Sequence, residues 1–464
     1  MESLNKILTS WNEFLWGFPM LFALMGTHLY LTFRLGFIQQ YIFRGIKLSL
    51  EKKPEGAGDI SHFGALATSL AATIGTGNIV GVATAVAAGG PGAVFWMWIT
   101  GVFGIATKYS EAFLSVKYRI TLPNGQMAGG PMYVLERGLK SKPLGLIFAL
   151  FTAVAAFGIG NTVQSSAIAG MMKENFSISP FITGAALTIL TALVILGGIR
   201  TIASTCEKLV PFMAALYIVG CIIILALRYD QILPTIGLIV SSAFTGQAAL
   251  GGFLGVTMRQ ALRFGVSRGL FSNESGMGSA PIVAAAARTS NPARQALVSA
   301  TGTFWDTVIV CALTGLVIVS SGEWISGIGG EALSRAAFGS TLSSFGSAML
   351  TFGLLTFVFS TILGWSYYGE KAVEYLFGHK VVMPYRYLWV AAVMVGAVVK
   401  SEIVWNFADV ANVLMAVPNI LSLLLLSGIV AAESKIYLRK GARNKDMERD
   451  LEESVVTKQI RTVR

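Results

Sequence analysis

Residues 71–81 read Ala-Ala-Thr-Ile-Gly-Thr-Gly-Asn-Ile-Val-Gly, inside an apolar stretch that runs from about Phe63 to Ala88. A stretch of that length reads as a membrane-crossing helix, because the hydrocarbon core is about 30 Å thick and takes roughly 20 apolar residues to cross. Its centre argues against an unbroken helix. Gly75 and Gly77 loosen the backbone there, beside polar Thr73, Thr76 and Asn78. In lipid, a broken backbone is tolerated only where the freed N–H and C=O groups face a cavity, a ligand or other protein. A helix interrupted at mid-membrane is therefore a pointer to a binding site in a carrier.

The remaining composition agrees with a membrane setting. Of 464 residues, 54% are hydrophobic and only 13% are charged, against about 25% charged in soluble domains. The 51 glycines suit close helix packing in lipid. The net charge of +11 is spread over short loops rather than gathered in a patch, which excludes a nucleic-acid partner. Cys206, Cys221 and Cys311 lie in or at apolar segments without metal-ligand spacing, and read as small buried residues. The first apolar segment lacks a basic start and a small-residue cleavage site, so it reads as a retained span rather than a signal peptide.

Eleven spans are expected, near 14–36, 63–88, 92–117, 146–171, 181–199, 208–227, 262–287, 295–320, 342–366, 386–401 and 406–433. The apolar segment 232–255 is interrupted by Ser241-Ser242, Thr245-Gly246-Gln247 and Gly251-Gly252. It reads as a re-entrant or surface-lying helix, with a twelfth span as the alternative. Placing the N-terminus outside puts most of the 35 lysines and arginines in inner segments, including a cytoplasmic C-terminal tail, as the positive-inside rule requires.

Removing the first span leaves ten, which divide into five and five. Each half opens on an interrupted helix: 63–88 in the first, and 262–287 in the second, whose centre reads Phe271-Ser272-Asn273-Glu274-Ser275-Gly276-Met277-Gly278. The two openers run in opposite directions. That arrangement predicts an inverted repeat with a shared midplane site. The expected divisions are 1–60 (first helix and inner loop), 61–230 (first repeat), 231–261 (outer helical segment), 262–434 (second repeat) and 435–464 (cytoplasmic tail).

A broken helix offers free N–H groups suited to a carboxylate, and free carbonyls suited to a hard cation such as Na⁺. An α-amino acid carries one carboxylate and one ammonium, and fits such a gap at both ends. Glu274 is an acid at membrane depth beside glycines, a position costly enough to suggest a function, including holding the broken segment in shape. The Asn78 amide can serve a cation or bridge helices. Adjacent Ser360 and Thr361 can complete a cation site, or bond back to their own helix. Gln164 offers an uncharged hydrogen-bonding group. Asp306 is a further intramembrane acid without an assigned role. Lys108 and Glu111, one turn apart, are expected to pair near the inner surface. No phosphate-binding loop of the G-x-x-x-x-G-K-[ST] type occurs, which argues against an ATP-driven pump. A channel and an intramembrane enzyme built on Glu274 and Asp306 are rival readings. The first is disfavoured because re-entrant pores usually need an oligomer, and the second because no nucleophile–base or metal motif accompanies the acids.

Three segments carry a family resemblance: Gly75-Thr76-Gly77-Asn78, the run Gly89-Gly90-Pro91-Gly92-Ala93-Val94-Phe95-Trp96-Met97-Trp98-Ile99, and Phe271 through Pro281. They resemble the alanine or glycine:cation symporters, with departures at Gly101 and Ser275, both small-for-small. The resemblance implies an all-α, LeuT-type fold with five-plus-five inverted repeats behind one extra N-terminal helix. It implies Na⁺ as coupling ion, no organic cofactor, and import of alanine or glycine by alternating access, without enzyme activity; whether D-alanine is also accepted is left open by the sequence. A proton-coupled carrier on the same fold is the alternative. By the same resemblance, Gly75, Thr76, Gly77, Gln164, Phe271, Gly276, Met277, Thr361 and Trp365 would meet substrate, with Met277 and Trp365 limiting its size. Ala71, Ile74, Ser360 and Thr361 would hold one Na⁺. Thr73, Asn78 and Ser272 fall where a second can bind. Asn273 and Glu274 would shape or gate the break. The chain would work as a monomer in the lipid of a prokaryotic inner membrane.

Overall fold

The structure, a computed structural model, describes residues 2–51, 56–245, 255–399 and 402–439. It is built almost wholly of helices, with a two-stranded hairpin pairing Ile120–Thr121 with Met127–Ala128.

An amphipathic helix, α1 (Glu2–Leu15), precedes the first apolar helix, α2 (Phe18–Arg34). The chain then bends by 70° into α3 (Ile42–Ser49). The expected first span began at residue 14. Residue 14 instead lies in α1, because Gly17 and Pro19 start a new helix.

The first broken helix follows. α4 (His62–Thr73) is capped at its start by the Ser61 hydroxyl, which accepts from Gly64 N–H. At Ile74 the backbone turns extended (φ −75°, ψ 99°). Helical structure resumes as a π-turn, Gly77–Gly81, leading into α5 (Val82–Gly89), at 54° to α4. α6 (Gly92–Lys117) returns across the protein. After the short α7 (Pro131–Tyr133), α8 (Lys142–Phe157) and α9 (Val163–Phe176) form one long helix joined by a π-turn at Gly158–Thr162. α10 (Pro180–Ile195) and α11 (Ile199–Leu227) follow. The segment expected to be re-entrant or surface-lying, 232–255, overlaps α12 (Tyr229–Thr245), which starts three residues earlier and packs on α6; residues 246–254 lie outside the described part.

The second broken helix opens with α13 (Met258–Asn273), started by a capping box between Thr257 and Gln260. Glu274 turns left-handed (φ 53°), and Gly276 and Gly278 follow at φ 91° and 87°. Glycine carries those two angles without a Cβ penalty. A short helix, α14 (Pro281–Ala284), ends the segment. α15 (Pro292–Thr303) and α16 (Ala312–Ser321) are joined by a π-helical stretch, Phe304–Cys311. α17 (Gly330–Phe377) contains a kink at Ser343 (φ 53°), and the span expected at 342–366 starts at that kink. α18 (Val382–Val398) and α19 (Glu402–Arg439) complete the described chain.

Six described helices are long and apolar enough to cross a membrane, or eight if the two bent pairs count as one span each. The eleven expected segments include polar ones for a physical reason. α6 carries Lys108, Glu111 and Lys117, and α13 carries Arg259, Arg263 and Arg268. Lys108 and Glu111 are buried against other helices rather than turned to lipid. Large apolar side chains such as Phe181, Leu193, Phe212, Leu233 and Leu388 are exposed, as lipid-facing positions should be.

The ends of the two broken helices are stitched together. Asp59 and Ile60 N–H donate to Ala286 O, and Arg288 N–H donates to Ile60 O. Arg119, just past α6, donates to the carbonyls of Ala57, Ala285, Ala287 and Thr289.

Candidate functional site

The two breaks meet at a hollow. It is lined by Ala72, Thr73, Gly75, Thr76 and Gly77 from the first break, and by Phe271 and Glu274 from the second. Ile159 and Gln164 come from the α8–α9 helix, Thr361 and Trp365 from α17, and Asn412 from α19. The space measures about 330 Å³ with the open solvent at its mouth counted in, so the enclosed room is small.

Local chemistry holds the first break open. The Asn78 amide oxygen accepts from Gly75 N–H at 2.9 Å, so a side chain occupies a backbone donor that helix geometry leaves free. Its Nδ2 donates to Asp306 Oδ1 at 2.6 Å and to the Asp306 carbonyl at 3.2 Å. The other carboxylate oxygen of Asp306 accepts from Ser272 Oγ at 3.0 Å and from Thr307 Oγ1 at 2.6 Å. Asp306 is fully buried. It therefore joins the two breaks, Asn78 on one and Ser272 on the other. The sequence marked it as an acid at membrane depth but could not bring it to those residues, because the contact spans 228 positions. Thr73 Oγ1 bonds back to Ser69 O at 3.2 Å.

Of the expected set Ala71, Ile74, Ser360 and Thr361, Ser360 reaches Ala71, and Thr361 stands against Gly75, the residue after Ile74. α4 ends here, and the last carbonyls of a helix have no intrahelical donors. Ser360 Oγ lies 3.1 Å from Ala71 O and 2.8 Å from Phe357 O. Thr361 Oγ1 donates to Phe357 O at 3.0 Å. It also stands so close to Gly75 that a Cβ there would meet it at 2.8 Å. Hydroxyl and carbonyl oxygens, all buried, make a donor set suited to a hard cation such as Na⁺.

Other groups face the hollow with unused hydrogen-bonding capacity. Gln164 donates through Nε2 to Ile159 O at 2.9 Å, while its Oε1 has no partner and the residue is only 4% exposed. Asn412 Oδ1 is likewise buried without a partner. Nothing in the local sequence around Asn412 marked it. Phe271 lies edge-on to Trp16 at 6.3 Å. Trp365 is fully buried, edge-on to Tyr368 at 5.5 Å, and backed by Gly160 in the π-turn.

Of the remaining expected residues, Glu274 lines the hollow, and Met277, Gly276 and Asn273 stand beside it. Met277 is fully buried and does not line it. Gly276 faces Leu24 of α2. Asn273 Oδ1 accepts from Ser275 N–H at 2.9 Å and so shapes the turn. Glu274 Oε2 accepts from Ser279 Oγ at 2.5 Å, spanning the turn. Lys108 and Glu111 were expected to pair near the inner surface, and they do not. Both are 2% exposed, Lys108 Nζ has no hydrogen-bond partner, and Glu111 binds the second break instead. Residues one turn apart can meet on a helix, but here the free N–H groups of Gly276 and Gly278 compete for the carboxylate.

Comparison with known proteins agrees with this architecture. The chain is 50% identical over 443 residues to the sodium/alanine symporter AgcS of Methanococcus maripaludis, covering 93% of this chain and 97% of that protein. It is 36% identical over 452 residues to the probable sodium/glutamine symporter GlnT of Bacillus subtilis, covering 96% and 93%. Among solved structures, MhsT in complex with L-phenylalanine superposes with a TM-score of 0.56 at 14% identity, covering 82% of this chain and 99% of that one. That likeness establishes the LeuT-type fold. Residues 1–451 match the sodium:alanine symporter family. The chain belongs to that family of multi-pass, sodium-coupled transporters.

Proposed function

We propose that this protein imports alanine or glycine together with Na⁺, by alternating access about the hollow between its two broken helices. The observation that carries this reading is the pairing of opposite chemistries around one small space. The start of the second half-helix at Thr76 and Gly77 brings N–H groups and a positive dipole end, suited to a carboxylate. Gln164 Oε1 and Asn412 Oδ1, buried and unpartnered, suit an ammonium. A zwitterion satisfies both, and leaving such groups unpaired costs about 1–3 kcal/mol each.

Size selection follows from Trp365 and Phe271, which close the space around the side chain. A methyl group fits there, while a branched chain would require Trp365 to move. The extra methyl of alanine over glycine is worth only about 1–3 kcal/mol, so both are substrates, and D-alanine is a further candidate. Na⁺ at Ala71, Ile74, Ser360 and Thr361 would tie α4 to α17. A second ion near Thr73, Asn78 and Ser272 would draw on the Asp306 carboxylate. Each ion would order a break that also forms the substrate site. Binding of ion and substrate would then be mutually reinforcing, as linkage requires. The N-terminus would lie outside a prokaryotic inner membrane, the C-terminus in the cytoplasm, and the monomer would suffice.

Proton coupling is the second reading, supported by the buried carboxylates of Asp306 and Glu274. Isotope uptake into proteoliposomes under separate Na⁺ and pH gradients distinguishes the two. Alanine accumulation driven by the Na⁺ gradient alone supports the proposal; accumulation that follows only the pH gradient overturns it.

A further inference from the structure

We infer that Glu111, on α6 and outside the hollow, is a positioning residue that sets the shape of the second break and thereby the affinity of the substrate site.

Its Oε1 accepts three hydrogen bonds. Two come from the backbone N–H groups of Gly276 and Gly278, each at 3.0 Å. The third comes from Asn419 Nδ2 of α19 at 2.7 Å. The same Asn419 nitrogen also donates to Gly276 O at 2.9 Å. Gly276 and Gly278 have positive φ, and their N–H groups converge on one oxygen, forming a small nest for an anion. Glu111 supplies that anion from a neighbouring helix. The carboxylate is therefore the hub at which α6, the second break and α19 are joined.

The hub is next to the binding surface. Glu274, two residues before Gly276, lines the hollow, and so does Asn412 on α19, two turns before Asn419. Moving the nest moves Glu274 and the end of α13 with it. Charge is balanced nearby by Lys108, whose buried Nζ has no hydrogen-bond partner, one turn earlier on α6. Hydrogen bonds to a charged group are stronger than neutral ones, and this carboxylate accepts three.

The inference rests on the transport reading for its kinetic arm only. Wild type, Glu111→Ala, Glu111→Gln and Asn419→Ala are compared after purification in detergent and reconstitution. The structural arm is amide hydrogen exchange of the 274–280 segment. Glu111→Ala should raise exchange there well above wild type; Glu111→Gln, which keeps one acceptor oxygen, should fall between; Asn419→Ala should shift it in the same direction. The kinetic arm is alanine uptake, where Glu111→Ala should raise KM by about tenfold or more with a smaller change in kcat, and Glu111→Gln should recover part of it. A residue that only supports folding would lower the yield of active protein and leave KM unchanged. Unaltered exchange in Glu111→Ala, or a glutamine variant no better than alanine, overturns the inference. If Glu111→Ala does not fold, Asn419→Ala with wild-type exchange and wild-type KM overturns it as well. Loss of alanine uptake in the wild type would count against the transport reading, while the exchange arm still decides the role of Glu111.

Discussion

Asn78 donates to the Asp306 carboxylate at 2.6 Å while its own amide oxygen holds the N–H of Gly75. One side chain thus keeps the first helix broken and ties it to the π-helical stretch at Phe304–Cys311. Through Ser272, the same carboxylate reaches the second break.

Substitution at this junction should affect ion and substrate together. Asn78→Ala leaves Gly75 N–H without its acceptor and Asp306 Oδ1 without the Asn78 amide, while Ser272 and Thr307 still hold Oδ2; each buried loss costs about 1–3 kcal/mol. The expected outcome is an Na⁺ concentration for half-maximal uptake raised by about tenfold or more, with alanine KM raised as well. Uptake measured across an Na⁺ series checks it. A variant with unchanged Na⁺ activation would remove Asn78 from the ion pathway.

At the α4–α17 contact, Thr361→Val keeps the shape of the side chain and removes the hydroxyl. Weaker Na⁺ activation is expected, by about 1 kcal/mol or more. Ser360→Ala should add to it, since Ser360 Oγ faces Ala71 O. Wild-type Na⁺ dependence in the double variant would move the ion elsewhere.

Trp365 lines the hollow and is fully buried. Trp365→Ala is expected to admit leucine-sized amino acids, read by competition against labelled alanine. Gly160 backs the indole so closely that an added Cβ would lie 2.3 Å from Trp365 Cβ. Gly160→Ala should therefore displace Trp365 and destabilise the fold by about 1–3 kcal/mol, visible as a lowered melting temperature. If Trp365→Ala keeps a strict alanine and glycine range, the indole does not define size.

Gln164→Leu removes the unpartnered acceptor facing the hollow and should weaken substrate binding by about tenfold. Its effect on Na⁺ binding measured without substrate should be small. The reverse pattern would make Gln164 an ion-site residue.

Much of the fold was legible because lipid imposes long apolar helices, and because a helix cannot break there without a reason. The glycines at 75, 77, 276 and 278 marked both breaks, and 92–117 coincides with α6. What remained hidden depends on contacts between distant positions. Asp306 meets Asn78 across 228 residues, and Glu111 meets Gly276 across 165. The local rule that pairs Lys108 with Glu111 lost to backbone donors that exist only once the second helix has unwound. Asn412 carries no motif, and packing alone brings it to the hollow. The resemblance that put Met277 at the substrate did not reveal that this buried residue is not part of the lining.

If two discontinuous helices share one site for ion and amino acid, alanine uptake by the reconstituted protein depends on Na⁺. With external Na⁺ replaced isosmotically by choline at constant pH, uptake should fall to background and return in a saturable manner as Na⁺ is restored, with alanine affinity rising in step. Concentrative uptake of equal rate and affinity in choline would contradict it.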